Sequence, residues 1–414
     1  MNTTPIARRG FLKGSAVLAG AGLLQACSTP APKISRISAS SLSSFRRSIS
    51  PKTGNPMLRI FASSGYTPDP ARLMIGLRRL QDAGFVISNE SAAYRRFQRF
   101  AGNDNERIAD LQAVASGSTA MPKVLMGVRG GYGAMRLLPH IDWASLGSRM
   151  RENGTLLFGF SDVCAIQLAL LARGNMPSFA GPMLYSEFSK PVPSLYTMQA
   201  FISGSTNPQN SITVSAIQAR DVRAEGVFWG GNLSVLAALV GSPYFPDISG
   251  GILFLEDVGE QPYRIERMLQ TLHLAGVLRK QQAIVLGDFR MGSITDIYDS
   301  SYTFHHVIQN ISRVTNVPIL SGFPFGHIAN KATFPLGAHA RIEPFNGGYQ
   351  VSFSGYPTLD AAALSLNTLI APPPILDNSS QSASESNTAK AGDIKEERGE
   401  EIGEGEETRK EEAE

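Results

Sequence analysis

Cysteine is nearly missing: Cys27 and Cys164 are the only two in 414 residues. No disulfide framework can be built within the fold, and stability has to rest on the size of the core. Metal-ligand spacing is missing as well. None of the six histidines (His140, His273, His305, His306, His327 and His339) pairs with a second His or Cys at helical or turn distance beside an acid, so no metal is expected. Arg129-Gly130-Gly131-Tyr132-Gly133 follows a strand-like run but lacks the Lys-Ser/Thr ending of a phosphate loop and the full dinucleotide pattern, so no cofactor is expected either. No basic stripe interleaved with aromatics runs along the chain, which argues against nucleic acid as a partner. The apolar segment Ser15 to Leu24 is too short to span a bilayer unaided.

What is present suits a loop-rich α/β enzyme. Apolar residues make up 43% and charged residues 18%, with 40 Gly and 25 Pro. The length exceeds the roughly 250–300 residues at which a single core stops growing, so two domains are the default. The net charge of +3 hides an uneven distribution. From Asp377 onward 13 acidic residues stand against 5 basic ones, a balance of −8, which leaves +11 on the rest of the chain.

The first residues read as an address. Ala7-Arg8-Arg9-Gly10-Phe11-Leu12-Lys13 has the twin-arginine export pattern, and Leu24-Gln25-Ala26-Cys27 resembles a lipoprotein cleavage box with Cys27 lipidated. Gln25 is atypical for that box, and an ordinary cut after Ala26 is the alternative. Residues 1–27 are therefore the expected signal and 28–54, rich in Ser, Pro and basic groups, the expected tether. The expectation is a periplasmic, membrane-anchored product held by Cys27. Residues 371–414 turn Pro-rich, then Ser-rich, then Glu-rich, the composition of a disordered acidic tail.

Between these ends the pattern alternates strand and helix. Leu58 to Ala62 is a short apolar run, Pro70 to Asp82 has helical spacing, and Phe85 to Ile87 starts another strand. The rhythm recurs through Glu106–Ala115, Val124–Val128, Leu156–Phe158 and Val163–Arg173, which predicts a mostly parallel sheet covered on both faces over 55–190. Tyr185 to Pro208 loses the rhythm, and a linker is expected at 191–210. The 211–370 region starts β-rich at Ser211–Val227. It continues with a helix opened by Gly230-Gly231-Asn232 and strands at Ile252–Leu255, Ile284–Leu286 and Pro318–Leu320, a second α/β domain with helices Tyr263–Ala275 and Tyr302–Val314 between them.

Ser161 stands where a nucleophile could. Gly159-Phe160-Ser161-Asp162 lies between an apolar strand and an apolar helix, a turn that projects a hydroxyl from the sheet beside unpaired helix N–H groups. Val163 replaces the second Gly of the usual elbow, and a Ser or Asp that simply caps the helix is the competing reading. His327 follows the strand Pro318–Leu320 through a stiff Gly322-Phe323-Pro324-Phe325-Gly326 loop, at the end where open α/β sheets place ligands. Two carboxylates also follow strands, Glu256 and Asp288. Either could orient an imidazole, and either could instead cap a helix or pair with Arg264, Arg267 or Arg290.

Taken together the segments resemble the LD-carboxypeptidase family of serine peptidases, the muramoyltetrapeptide carboxypeptidases, which also includes the microcin C immunity peptidases. The matching strings are Arg99-Phe100-Ala101-Gly102 with Arg107 to Gln112, Arg129-Gly130-Gly131-Tyr132-Gly133 with Leu137-Leu138-Pro139, and Gly159-Phe160-Ser161-Asp162. They continue with Gly230-Gly231-Asn232-Leu233, Leu255-Glu256-Asp257 with Pro262 to Leu269, and Gly326-His327 followed by Pro335-Leu336-Gly337. They run in order over about residues 58 to 345. Two departures stand out: Cys164 where the family has Thr, and Ser63 in place of a common Pro.

The resemblance implies a two-domain α/β fold in which Ser161 is the nucleophile, His327 the base and Glu256 the triad acid, with backbone N–H groups of Asp162 and Gly131 stabilising the oxyanion. The substrate it implies is the tetrapeptide stem of peptidoglycan, cut between the L-centre of its diamino acid and the terminal D-Ala. Arg129 is a candidate for the D-Ala carboxylate, with an ion pair as its alternative role, and Gly130, Tyr132 and Asn232 are further candidates for substrate contact. Another peptide or a peptidyl-nucleotide, or muropeptide binding without cleavage, are the rival functions. A homodimer is left open.

Overall fold

In the computed structural model residues 55–216, 221–360 and 364–372 are described, so the expected signal, tether, Cys27 and nearly all of the acidic tail lie outside the described residues. The first sheet grows as the sequence rhythm suggests. Strand β1 (Met57–Phe61) leads to helix α1 (Pro70–Asp82), whose start is set by Pro70 and by Asp69 accepting from the Arg72 N–H at 3.0 Å. After β2 (Val86–Ser88), helix α2 (Asp104–Ala115) opens on a reciprocal capping box between Asn103 and Glu106. Then come β3 (Val124–Gly127), α3 (Trp143–Asn153), β4 (Leu156–Gly159), α4 (Cys164–Gly174) and β5 (Ser178–Ala180). Every residue of β3 and β4 is buried, as uninterrupted apolar runs require when helices cover both faces.

The order across this sheet, β2-β1-β3-β4-β5, reverses direction between β1 and β3. At such a switch point the loops beyond two neighbouring strands diverge and leave a crevice. Here the two loops are joined by the Gly65 N–H donating to the Gly130 carbonyl at 3.2 Å.

Residues 191–210, expected as linker, mostly form helix α5 (Leu195–Thr206), with the Ser194 hydroxyl accepting from the Thr197 N–H. Its Met198 and Phe201 are buried, so apolar spacing overrode the reading drawn from Pro191 and Pro193. The second sheet follows: β6 (Asn210–Ser215), β7 (Ala224–Asn232), α6 (Leu233–Ala238), β8 (Ile252–Glu256), α7 (Pro262–Leu274), β9 (Ala283–Leu286), α8 (Phe304–Thr315) and β10 (Ile319–Leu320). Gly230-Gly231-Asn232 thus completes β7 before the helix begins.

Strand β11 (Phe334–Leu336) then leaves the second sheet and pairs antiparallel with β5 of the first, Phe334 opposite Ala180. Strands β12 (Ala338–Phe345) and β13 (Gly348–Ser354) return to the second sheet, giving the order β10-β9-β8-β7-β12-β13-β6. The stretch between β10 and β11 therefore crosses from one sheet to the other. Phe228, Phe254, Phe323, Phe325, Phe334 and Phe353 pack edge to face along that crossing. Apolar contact is continuous between the sheets, and the described residues up to Ala371 belong to one compact unit.

Candidate active site

Helix α4 is buried almost all round, which an apolar helix between two layers has to be. Its entry is strained. Ser161 has φ +61, a left-handed conformation a β-carbon resists, and non-glycine residues held there cluster at functional sites. Val163, in place of the elbow's second glycine, shifts the tight contact to Gly159: a β-carbon built there would lie 2.3 Å from Val163 Cγ1. Capping is not what Ser161 and Asp162 do, because the helix has no side-chain cap.

Asp162 turns the other way and is buried. One carboxylate oxygen accepts from the Ala134 N–H at 2.9 Å, and Ser64 and the Gly133 N–H also donate to this group. Burial nonetheless dominates and pushes its pKa above the ordinary carboxyl value, against those hydrogen bonds and the Arg107 charge. Asp162 thereby pins the Arg129–Gly133 loop against the serine turn. At Gly130 a β-carbon would sit 2.6 Å from Ser161 Oγ and 3.4 Å from the Asp162 nitrogen, so the hydroxyl and that N–H face the same space above a bare backbone.

The acid and base come from the second sheet. Glu256 ends β8 opposite Asn232 at the end of β7. Asn232 Nδ2 donates to Glu256 Oε1 at 3.2 Å and to Asp257 Oδ1 at 3.1 Å, while its Oδ1 accepts from the Val235 N–H. The other oxygen, Glu256 Oε2, lies 2.9 Å from His327 Nδ1. The Glu256 side chain is 1% exposed and the imidazole 22%, so the carboxylate is the more deeply buried partner of the pair.

Asp288, the competing acid, is exposed and spends one oxygen on the Arg290 N–H at 2.7 Å. The other histidines do local work. His306 closes the capping box of α8, His305 contacts Gln309, His273 contacts Arg279, His339 meets Glu225, and His140 ends a short turn.

His327 lies on the crossing between the sheets, and its ring stands 5.3 Å, edge to face, from Phe160, the residue before Ser161. Ser161 Oγ and His327 Nε2 have no hydrogen-bond partner among the described residues. Such contacts commonly tighten only with substrate bound. Two residues in this region escaped the sequence reading. Lys331, on the same crossing, is buried, pairs with buried Glu187 and stands 4.2 Å above the Phe160 ring. A lysine in a loop and a glutamate in a short π-helical turn gave no signal in the sequence, because only the fold brings them together.

The glycine pair of β7 sets how closely the second sheet approaches. Gly230 and Gly231 have φ +121 and +133, and a β-carbon on Gly231 would fall 2.6 Å from Cys164 Sγ. Cys164 is the one free cysteine among the described residues, and burial pushes its thiol pKa up, so it packs as a small apolar group. Ser63, the other departure, is buried against Ser64, with the two hydroxyls 3.2 Å apart. Among the described residues no group of three His, Cys, Asp or Glu side chains could hold a metal ion.

Two open clefts border this centre. One, of about 290 Å³, fills the switch-point crevice and is lined by Gly65, Tyr66, Arg99, Arg129, Gly131 and Tyr132. The Arg129 guanidinium donates to the Tyr66 carbonyl at 3.1 Å and has no carboxylate partner among the described residues, so the ion-pair alternative for it is not what the structure holds. Tyr132 is half exposed beside it, and Arg99 lies over its ring at 5.2 Å. The other cleft, of about 550 Å³, lies against the residues that follow Glu256 and His327. Asn232 lines neither cleft and is buried, with its amide donating to Glu256 and Asp257.

A hydroxyl on a strained turn, an imidazole fixed at Nδ1 by a buried carboxylate and N–H groups beside the hydroxyl are the parts acyl transfer needs. Comparison with known proteins agrees. Residues 58–181 match the LD-carboxypeptidase N-terminal domain and residues 225–342 the LD-carboxypeptidase C-terminal domain. A murein tetrapeptide carboxypeptidase of Pseudomonas aeruginosa is 30% identical over 64% of this chain and 87% of its own. The microcin C7 self-immunity protein of Escherichia coli is 26% identical over 66% of this chain and 85% of its own. Among solved structures, a muramoyltetrapeptide carboxypeptidase from Oxalobacter formigenes is 37% identical, with a TM-score of 0.67 over 73% of this chain and all of that one.

Proposed function

Because this chain belongs to the LD-carboxypeptidase family of serine peptidases, we propose that it removes the terminal D-Ala from peptidoglycan tetrapeptide stems, with Ser161, His327 and Glu256 as its catalytic triad. It is a serine-type carboxypeptidase, a hydrolase of the peptidoglycan-processing kind. The observation that carries the triad is the 2.9 Å contact from Glu256 Oε2 to His327 Nδ1, on a loop that reaches the strained Ser161 turn through Phe160.

His327 Nε2 takes the Ser161 proton as Oγ attacks the carbonyl, while Glu256 holds the tautomer and balances the imidazolium. The N–H groups of Asp162 and Gly131 receive the oxyanion. The leaving amine takes the proton back from His327, and water, activated by the same imidazole, releases the acyl group from Ser161. The Arg129 fork, free of acidic partners, receives the D-Ala carboxylate in the switch-point cleft.

We also propose export through Arg8 and Arg9 and anchoring at Cys27, on the sequence pattern alone. No helix among the described residues is long and apolar enough to cross a membrane. The activity is tested by incubating the protein with tripeptide, tetrapeptide and pentapeptide stems and weighing the products. Only the tetrapeptide is expected to shorten, by one alanine. If no stem shortens while a fluorophosphonate still labels Ser161, the substrate is another peptide or a peptidyl-nucleotide; if Ser161 is not labelled, the protein binds without cleaving.

A further inference from the structure

The larger cleft holds two opposite charges that the triad does not use. Its polar groups include Asp288 and Arg290, and its walls include Val258, Met291, Ile294 and Ile328. Asp288 keeps one oxygen on the Arg290 N–H and has the other free, and the Arg290 guanidinium has neither an ion pair nor a hydrogen bond among the described residues. Arg290 is held at φ +52, a conformation that costs a non-glycine residue energy and that persists where the surroundings or a function demand it. The cleft is tied to the catalytic base: the Asp288 N–H donates to the Phe325 carbonyl at 2.8 Å, two residues before His327, and Ile328 directly follows it.

An open cleft with apolar walls, one free carboxylate oxygen and one free guanidinium matches a side chain made of methylenes that ends in an ammonium and a carboxylate together. The residue that donates the scissile carbonyl in the proposed substrate is a diamino acid, and one form of it, diaminopimelate, ends that way. The other common form, lysine, ends in an ammonium alone. We propose that Asp288 and Arg290 form a specificity subsite for the far end of this diamino acid, with Asp288 pairing its ammonium and Arg290 its carboxylate, while Met291, Ile294 and Ile328 cover the methylenes. The subsite rests on the tetrapeptide reading above. Both charges are solvent-exposed, so each pairing is screened and modest, and the subsite selects between stems more than it adds to affinity.

The two charges make separable demands. Arg290→Leu should raise KM roughly two- to fivefold for the diaminopimelate tetrapeptide and leave the lysine tetrapeptide unchanged, with kcat nearly constant for both. Arg290→Lys should recover part of that loss, since a point charge still meets the carboxylate. Asp288→Asn should raise KM for both stems, because both carry the ammonium. Equal effects of Arg290→Leu on the two stems, or none on either, would overturn the subsite even though the wild-type protein cleaves. If the wild type shortens neither tetrapeptide, the proposed substrate itself falls and takes the subsite with it. Melting temperatures of the variants, expected within about a degree or two of wild type for exposed positions, separate misfolding from lost recognition.

Discussion

His327 Nδ1 and Glu256 Oε2 meet at 2.9 Å although Glu256 ends β8, an interior strand of the second sheet, and His327 lies on the chain that crosses to the first sheet. Catalysis therefore depends on that crossing being held. Ser161→Ala and His327→Ala should each lower kcat by roughly 10³- to 10⁶-fold, and the double variant should be scarcely worse, because the groups act as one unit. Glu256→Gln should be milder but severe, since an amide can hold the ring yet cannot balance its charge. Single-turnover assays with unchanged melting temperatures would check this; additive losses in the double variant would count against a shared mechanism.

Asn232 is the positioning residue for that acid, donating to both Glu256 and Asp257. Asn232→Ala leaves two buried carboxylates short of a donor and α6 without its cap. The expected cost is about 1–3 kcal/mol in stability. A drop of about 10- to 100-fold in kcat should accompany it, from small displacement of the triad. KM should stay near wild type. A rise in KM with kcat intact would instead make Asn232 a substrate contact.

Asp162 gives a pH test. Its carboxyl is held above the ordinary value by burial, so the folded state keeps this proton to higher pH than the unfolded chain does. In that window the native protein binds more protons, and its stability falls as pH rises through it. Asp162→Asn lacks this titration. Urea midpoints of the two proteins should therefore move in the variant's favour as pH is raised from about 4, where carboxyl groups ordinarily titrate. A difference that stays flat, or that moves toward the wild type, would show that the hydrogen bonds from Ser64, Gly133 and Ala134 outweigh burial.

The parts of this molecule legible in its sequence are those where local pattern and global fold agree. The all-apolar runs at Val124 and Leu156 announce buried parallel strands, and Asn103 with Glu106 announces a helix start. Ser161 and His327 were visible as strand-end residues, but spacing alone could not separate Glu256 from Asp288. That choice is made by the register between β7 and β8, which sets Asn232 beside Glu256. The passage of β11 into the first sheet was hidden because a three-residue strand carries almost no periodicity, and it moved Phe334–Leu336 out of the sheet in which the 211–370 segment otherwise takes part. The buried Lys331 and Glu187 pair was equally hidden, since its partners are 144 residues apart.

Export can be tested in cells. Changing Arg8 and Arg9 to Lys should leave precursor in the cytoplasm, and Cys27→Ala should abolish lipid incorporation and leave the leader uncut at the lipoprotein box. Mature protein still reaching the periplasm of the double-lysine strain would mean that the leader is read by another route.

Gly159 and Val163 share one space at the serine turn. A β-carbon on Gly159 would sit 2.3 Å from Val163 Cγ1 and 2.9 Å from Val163 Cβ, well inside contact distance, so Gly159→Ala has to push the start of α4 away from β4. Ser161 lies between the two and is already strained, so its hydroxyl moves with the helix. A displacement near 1 Å is enough to cost about 100-fold in kcat, and overpacking costs about 1–3 kcal/mol in stability. Removing the opposing branch should relieve both. Val163→Ala alone opens a small void and should be mildly destabilising, while Gly159→Ala with Val163→Ala should recover most of the lost turnover, a strongly non-additive cycle. If the double variant is as inactive as Gly159→Ala alone, the steric account of this elbow fails.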